Sequence, residues 1–110
     1  MEPTSRWRSV WMIVMFDLPS TTKTDKANYR HFHDFLLDDG FRMLQYSVYG
    51  RHCISREKAE SHAHRVKRAT PPRGEVRILS VTEAQFGRME IYRNFVKKNA
   101  ETTPRQLEFW

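Results

Sequence analysis

Asp17 is the residue of this chain with the most chemistry to account for: it follows directly on seven apolar residues, Val10 to Phe16, and precedes Leu18-Pro19. A carboxylate at the end of such a run must be solvated, paired or bound to a cation, because an isolated buried charge is costly. In one reading Asp17 accepts hydrogen bonds from the turn that ends the run. In the other, a twofold axis brings two copies of Asp17 together, and paired carboxylates with water ligands suit magnesium or manganese. Such a cation relieves carboxylate repulsion, activates water and steadies the charge building on a phosphodiester, which is the minimal equipment of a metal-assisted nuclease. One carboxylate per chain is meagre for turnover, since efficient nucleases commonly use several acidic ligands.

The densest cationic stretch is Arg65, Lys67, Arg68, Arg73 and Arg77. It is placed to grip phosphates without reading bases, or else to form a solvated helix face. The histidines His52, His62 and His64 with Cys53 suggest a metal cluster, but residues two apart on a helix diverge, so His62 and His64 are expected as solvated surface groups. No phosphate-binding glycine loop, Ser-His-Asp arrangement or adequate zinc spacing is present, and most enzyme classes drop out.

The elements that must hold these groups can be read from periodicity. Val10 to Phe16 is a central strand, and Thr24 to Asp39 a helix with Tyr29, Phe32, Phe35 and Leu36 at helical spacing and Gly40 closing it. Met43 to Cys53 alternates as one strand, with Leu44, Tyr46 and Val48 on one face. Ser55 caps a second helix with Ala59, Ala63 and Val66 inward, which Pro71-Pro72 stops. Glu75 to Val81 is a third strand, Thr82 and Gln85 have capping-box spacing, and Met89 to Phe95 is a fourth strand. This order suits an α+β, ferredoxin-like βαββαβ domain over residues 10–96 with an antiparallel sheet and helices on one face, between an extension at 1–9 and a tail at 97–110. The bare sheet face invites a second protomer, giving a homodimer. The tail regains apolar groups at Leu107, Phe109 and Trp110, which are expected to dock on this protomer or a partner.

The chain has 110 residues, 39% of them hydrophobic and 13% aromatic, as expected of one folded domain. Its formal charge of +6 favours a polyanionic partner such as DNA or RNA. A single cysteine allows no internal disulfide, and the apolar run Val10 to Phe16 is too short to span a bilayer and lacks a cleavage site, so a cytoplasmic location without membrane contact is expected. Met12 as an alternative start would cut into the central strand, which favours the longer product.

Several segments, in order and at matching spacing, resemble the CRISPR-associated protein 2 family, the small subunit of the spacer-acquisition machinery. They are Val14-Met15-Phe16-Asp17-Leu18-Pro19, then Tyr29 through Phe35-Leu36-Leu37 to Gly40-Phe41, Met43-Leu44-Gln45-Tyr46-Ser47-Val48-Tyr49, and Thr82-Glu83-Ala84-Gln85-Phe86 with Met89-Glu90-Ile91. The Phe-Asp-Leu-Pro form and the Thr-Glu-x-Gln-Phe motif look most like the versions in type II systems. The resemblance implies a homodimer whose protomers meet through their sheets, with Asp17 matching the family's strand-end metal aspartate. It further implies that the dimer bridges two dimers of the integrase, CRISPR-associated protein 1, and supports the duplex middle of incoming DNA. Family members have also been described as magnesium-dependent endonucleases acting on single-stranded RNA or duplex DNA. Met43 stands where many relatives place a basic residue, which weakens any arginine-assisted cleavage, although Arg42 is adjacent. A single-stranded RNA-binding domain of similar topology would need stacking aromatics on Glu75 to Val81, which has none.

Overall fold

The structure, a computed structural model, describes residues 9–94 and 96–98. Its elements are β1 (Val10–Asp17), α1 (Lys23–Asp38), β2 (Arg42–Gln45), β3 (Val48–Cys53), α2 (Arg56–Ala69), β4 (Glu75–Thr82), the one-turn α3 (Glu83–Gly87), β5 (Ile91–Arg93) and β6 (Val96–Lys98). The main sheet has strand order β2-β3-β1-β4 with every neighbour antiparallel, the ferredoxin-like arrangement expected from the sequence.

Two expected strands are corrected. Met43 to Cys53 is a hairpin rather than one strand: Gln45 pairs with Val48 across the two-residue turn Tyr46-Ser47, and Ser47 takes a left-handed φ of 64°. The fourth strand of the fold is therefore supplied by this split. Met89 to Asn94 do not join the main sheet; among them Ile91–Arg93 is a strand that pairs with β6 in a separate ribbon, and Phe95 lies outside the described residues. That ribbon also crosses the expected domain boundary at residue 96.

Local signals fix the helices. Thr22 caps α1 in a reciprocal box, its hydroxyl accepting from the Asp25 amide at 3.0 Å while Asp25 accepts from the Thr22 amide at 3.3 Å. Ser55 caps α2 through the Lys58 amide at 3.1 Å, and Thr82 and Gln85 form the expected box at the start of α3. At the C-terminus of α1, Gly40 has φ of +91°, the left-handed geometry that ends helices, and a Cβ there would lie 1.7 Å from Arg51 Nη1.

The alternation of β1 divides the molecule. Val10, Met12, Val14 and Phe16 face α1 and α2 and form the main core with Phe32, Leu36, Phe41, Tyr49, Ala59 and Val66. Trp11, Ile13, Met15 and Asp17 therefore face the other side of the sheet. The long helices share one face as expected, but the opposite face is covered at its Trp11 end, where Trp11 stacks on Phe86 of α3 with centroids 4.1 Å apart. The rest of that face is open.

Cys53 is buried in the main core, and burial pushes its thiol pKa up, with the Arg51 charge opposing the shift. The thiol is thus held protonated at neutral pH. We expect it to react with an aromatic disulfide reagent only as fast as the domain opens, and promptly in denaturant; equal rates in both conditions would contradict the packing.

Candidate functional site

The open face places the site. Asp17 is the last residue of β1 and is paired in register with Glu75, the first of β4. Directly opposed residues project to the same side of a sheet with Cβ atoms about 5 Å apart, so the two carboxylates flank each other. Asp17 is exposed, and no side-chain hydrogen bond or ion pair joins its carboxylate to another described residue. Glu75 accepts from Arg77 Nη2 at 3.0 Å, and Arg77 follows it on the same face. A depression of 280 Å³ is lined by Met15, Phe16, Asp17, Glu75 and Arg77.

Glu75 is the site residue that sequence reading missed, because its nearness to Asp17 comes from sheet register across 57 intervening positions. Two hard oxygen donors side by side fit magnesium or manganese in kind. They do not complete a shell: among the described residues no three His, Cys, Asp or Glu side chains gather around one point. Further oxygens would have to come from water, phosphate or a second copy of the chain.

Several restraints hold the strand end. Gly74, at φ of +99°, passes so close that a Cβ there would lie 2.7 Å from the Asp17 carbonyl oxygen. The Phe16 amide donates to the Ser47 carbonyl at 3.1 Å, which ties the β2–β3 turn to the end of β1. Arg73 Nη1 donates to both carboxylate oxygens of Asp25 at 3.0 and 3.2 Å, anchoring the chain ahead of β4 to the N-terminus of α1.

The basic stretch is not one surface. Arg65 is committed to the far end of α1, where its Nε donates to Asp39 Oδ1 at 3.0 Å. Asp25 and Asp39, the partners of Arg73 and Arg65, are separated by fourteen residues of mostly helical chain, about 21 Å. Arg77 lies on the open face. Lys67 and Arg68 are exposed in the last turn of α2, where they complement the helix dipole. The expectation of a solvated His62 is corrected: it is buried, its Nδ1 lies 2.7 Å from Asp39 Oδ2, and the same carboxylate holds Arg65. His64 is outside this cluster. Leu107, Phe109 and Trp110 lie outside the described residues. Among the described residues no helix is long and apolar enough to cross a membrane.

A ferredoxin-like sheet with one partly bare face and a strand-end aspartate defines the class of this chain as a small α+β domain. Residues 10–89 match the family described as CRISPR associated protein Cas2. The chain is 45% identical over 101 residues to a protein of Parvibaculum lavamentivorans named CRISPR-associated endoribonuclease Cas2, covering 92% of this chain and all of that one. A protein of the same name from Flavobacterium psychrophilum is 41% identical over 108 residues, covering 96% of this chain and 92% of its own length. A further one, from Streptococcus mutans, is 42% identical over 83 residues, covering 76% of this chain and 77% of its own. This chain belongs to the Cas2 family of CRISPR-associated proteins.

Proposed function

We propose that the protein acts as a homodimer in CRISPR adaptation, bridging integrase dimers and carrying duplex DNA while spacers are acquired. The observation that supports this most is the content of the open sheet face. Ile13 and Met15 lie there with Leu79 and Val81 of β4, which pair with Ile13 and Trp11. Leu79 is 50% exposed in one protomer, at the centre of the outermost strand. An eight-residue edge strand carrying exposed apolar groups is a surface that proteins cover. Because Asp17 is on that same face, a second copy seated there brings two acidic strand ends toward each other, and a divalent cation would offset their repulsion.

The test is spacer integration by the purified cognate integrase, with light scattering on the same samples. The wild-type protein is expected at twice the chain mass and to support integration, whereas Leu79→Arg is expected as a folded monomer that does not. Asp17→Asn is expected to remain dimeric and to keep integration within about threefold, since an architectural role needs only the dimer and its phosphate contacts. A monomeric wild type would sink the proposal.

The Asp17–Glu75 carboxylate pair supports a second reading, magnesium-dependent endonuclease action, and the relatives' shared name, endoribonuclease, favours RNA as the substrate. Asp17 would hold the cation and Glu75 would orient its water, while the bound ion would lower that water's pKa and neutralise phosphate charge. In this reading Asp17→Asn lowers cleavage of single-stranded RNA by at least about 100-fold with the dimer intact. Cleavage at the wild-type rate would remove Asp17 from the chemistry.

A further inference from the structure

A second cavity shares no lining residue with the Asp17 depression and includes none of the five residues of the basic stretch. It is a cleft of 570 Å³ between the outer surface of α1 and the β2–β3 turn, lined by Ser20, Lys26, Tyr29, Arg30, His33, Asp34 and Tyr46. Lys26, Arg30 and His33 are spaced i, i+4 and i+7, so one stripe of α1 carries all three along the cleft, with Tyr29 beside them. Lys26 and Arg30 are exposed and pair with no described residue, in contrast to Arg65, Arg73 and Arg77. The one carboxylate present, Asp34, sits 3.2 Å from His33 Nδ1.

The opposite wall is an aromatic ring with unusual exposure. Tyr46 is 77% exposed at the tip of a two-residue turn whose second member, Ser47, has positive φ. A large ring held out on a tight turn displays its face at little conformational cost. Tyr29, half-buried below it, has its hydroxyl pKa raised by burial and by hydrogen bonding with the Tyr46 hydroxyl, so the Tyr29 phenol stays neutral near pH 7.

From this juxtaposition of an unpaired cationic stripe and an exposed ring across a cleft, we infer that the protein binds single-stranded nucleic acid here, stacking a base on Tyr46 and holding phosphates with Lys26 and Arg30. A backbone-tracking cationic groove with an aromatic platform is the arrangement that single strands fit. Duplex is disfavoured because its bases are already stacked and cannot reach the ring. The cleft adjoins the Asp17 strand end on both sides: Ser20 follows Asp17 by three residues, at most about 11 Å of chain, and Ser47 is hydrogen-bonded to Phe16. A strand lying in the cleft would therefore run toward Asp17.

Fluorescence anisotropy with labelled oligouridylate and oligothymidylate of about ten nucleotides, and with a duplex DNA, tests this. Chelator is present throughout, so neither cleavage nor metal at Asp17 contributes, and the outcome is independent of the adaptation and endonuclease readings. Tyr46→Ala should weaken the single strands by about 5- to 50-fold, Tyr46→Phe should keep wild-type affinity, and duplex binding should change by less than about twofold. Lys26→Ala with Arg30→Ala should lower the slope of log affinity against log salt for single strands by about 1.4. Single-strand affinity unchanged in Tyr46→Ala and in the double variant, or duplex affinity falling as far as single-strand affinity, would overturn the inference.

Discussion

Gly74→Ala is expected to destabilise the domain by about 2–5 kcal/mol. A non-glycine residue in left-handed backbone costs about 1–2 kcal/mol, and Gly74 has φ of +99°. Overpacking adds about 1–3 kcal/mol, because the new Cβ would meet the Asp17 carbonyl oxygen at 2.7 Å and Leu18 Cα at 3.0 Å. Neither can yield easily: Asp17 is paired in the sheet with Glu75, and Leu18 packs against the main core. Whatever relaxation occurs must move the strand end that carries the Asp17 carboxylate, so Gly74 is a positioning residue for the site. Gly87→Ala is the control, since a Cβ there meets nothing within 4 Å and alanine is the better helix former. Urea denaturation followed by circular dichroism compares the two. If Gly74→Ala costs no more than Gly87→Ala, the close passage of these two chain segments is absent.

What was legible in the sequence was what local chemistry dictates. The run Val10 to Phe16, the Ser55 cap, the Thr82 and Gln85 box and the glycine after α1 each announce an element through residues within a few positions of one another. The hairpin at Tyr46-Ser47 was hidden because its residues continue a two-residue alternation through the turn, and serine does not signal positive φ as glycine does. Asp17 was legible as a charge with nowhere apolar to go, but its neighbour was not: Glu75 is brought to it by strand register alone. His62 shows the same limit. Helical spacing separates it from His64, yet nothing near it in sequence reveals Asp39, which reaches it from the end of another helix. The five basic residues look like one surface because they are close in sequence, whereas the carboxylate partners of three of them lie apart, Asp25 and Asp39 at opposite ends of α1 and Glu75 on β4.

Phe32→Ala should be the most damaging single truncation of the core, costing about 3–5 kcal/mol. Phe32 is 1% exposed in the middle of α1 and meets Phe16 edge-on, with centroids 5.1 Å apart and planes at 88°. Phe16 in turn contacts Tyr29 and Tyr49, so this ring is where α1, β1 and β3 converge. Small domains have about 5–15 kcal/mol of stability in all, so the variant is expected to lose a large share of its denaturation midpoint and to be partly unfolded at 37 °C. Leu37→Ala, five residues on in the same helix but on its exposed side, should stay within about 0.5 kcal/mol. Equal costs at the two positions would mean that α1 is docked in a different rotational phase. Phe32→Leu fills most of the volume and should recover more than half of the loss. The consequence reaches the site, because Phe16 immediately precedes Asp17. A cavity under Phe16 loosens the end of β1 against α1, and with it both the strand-end carboxylate and the cleft whose cationic wall α1 supplies.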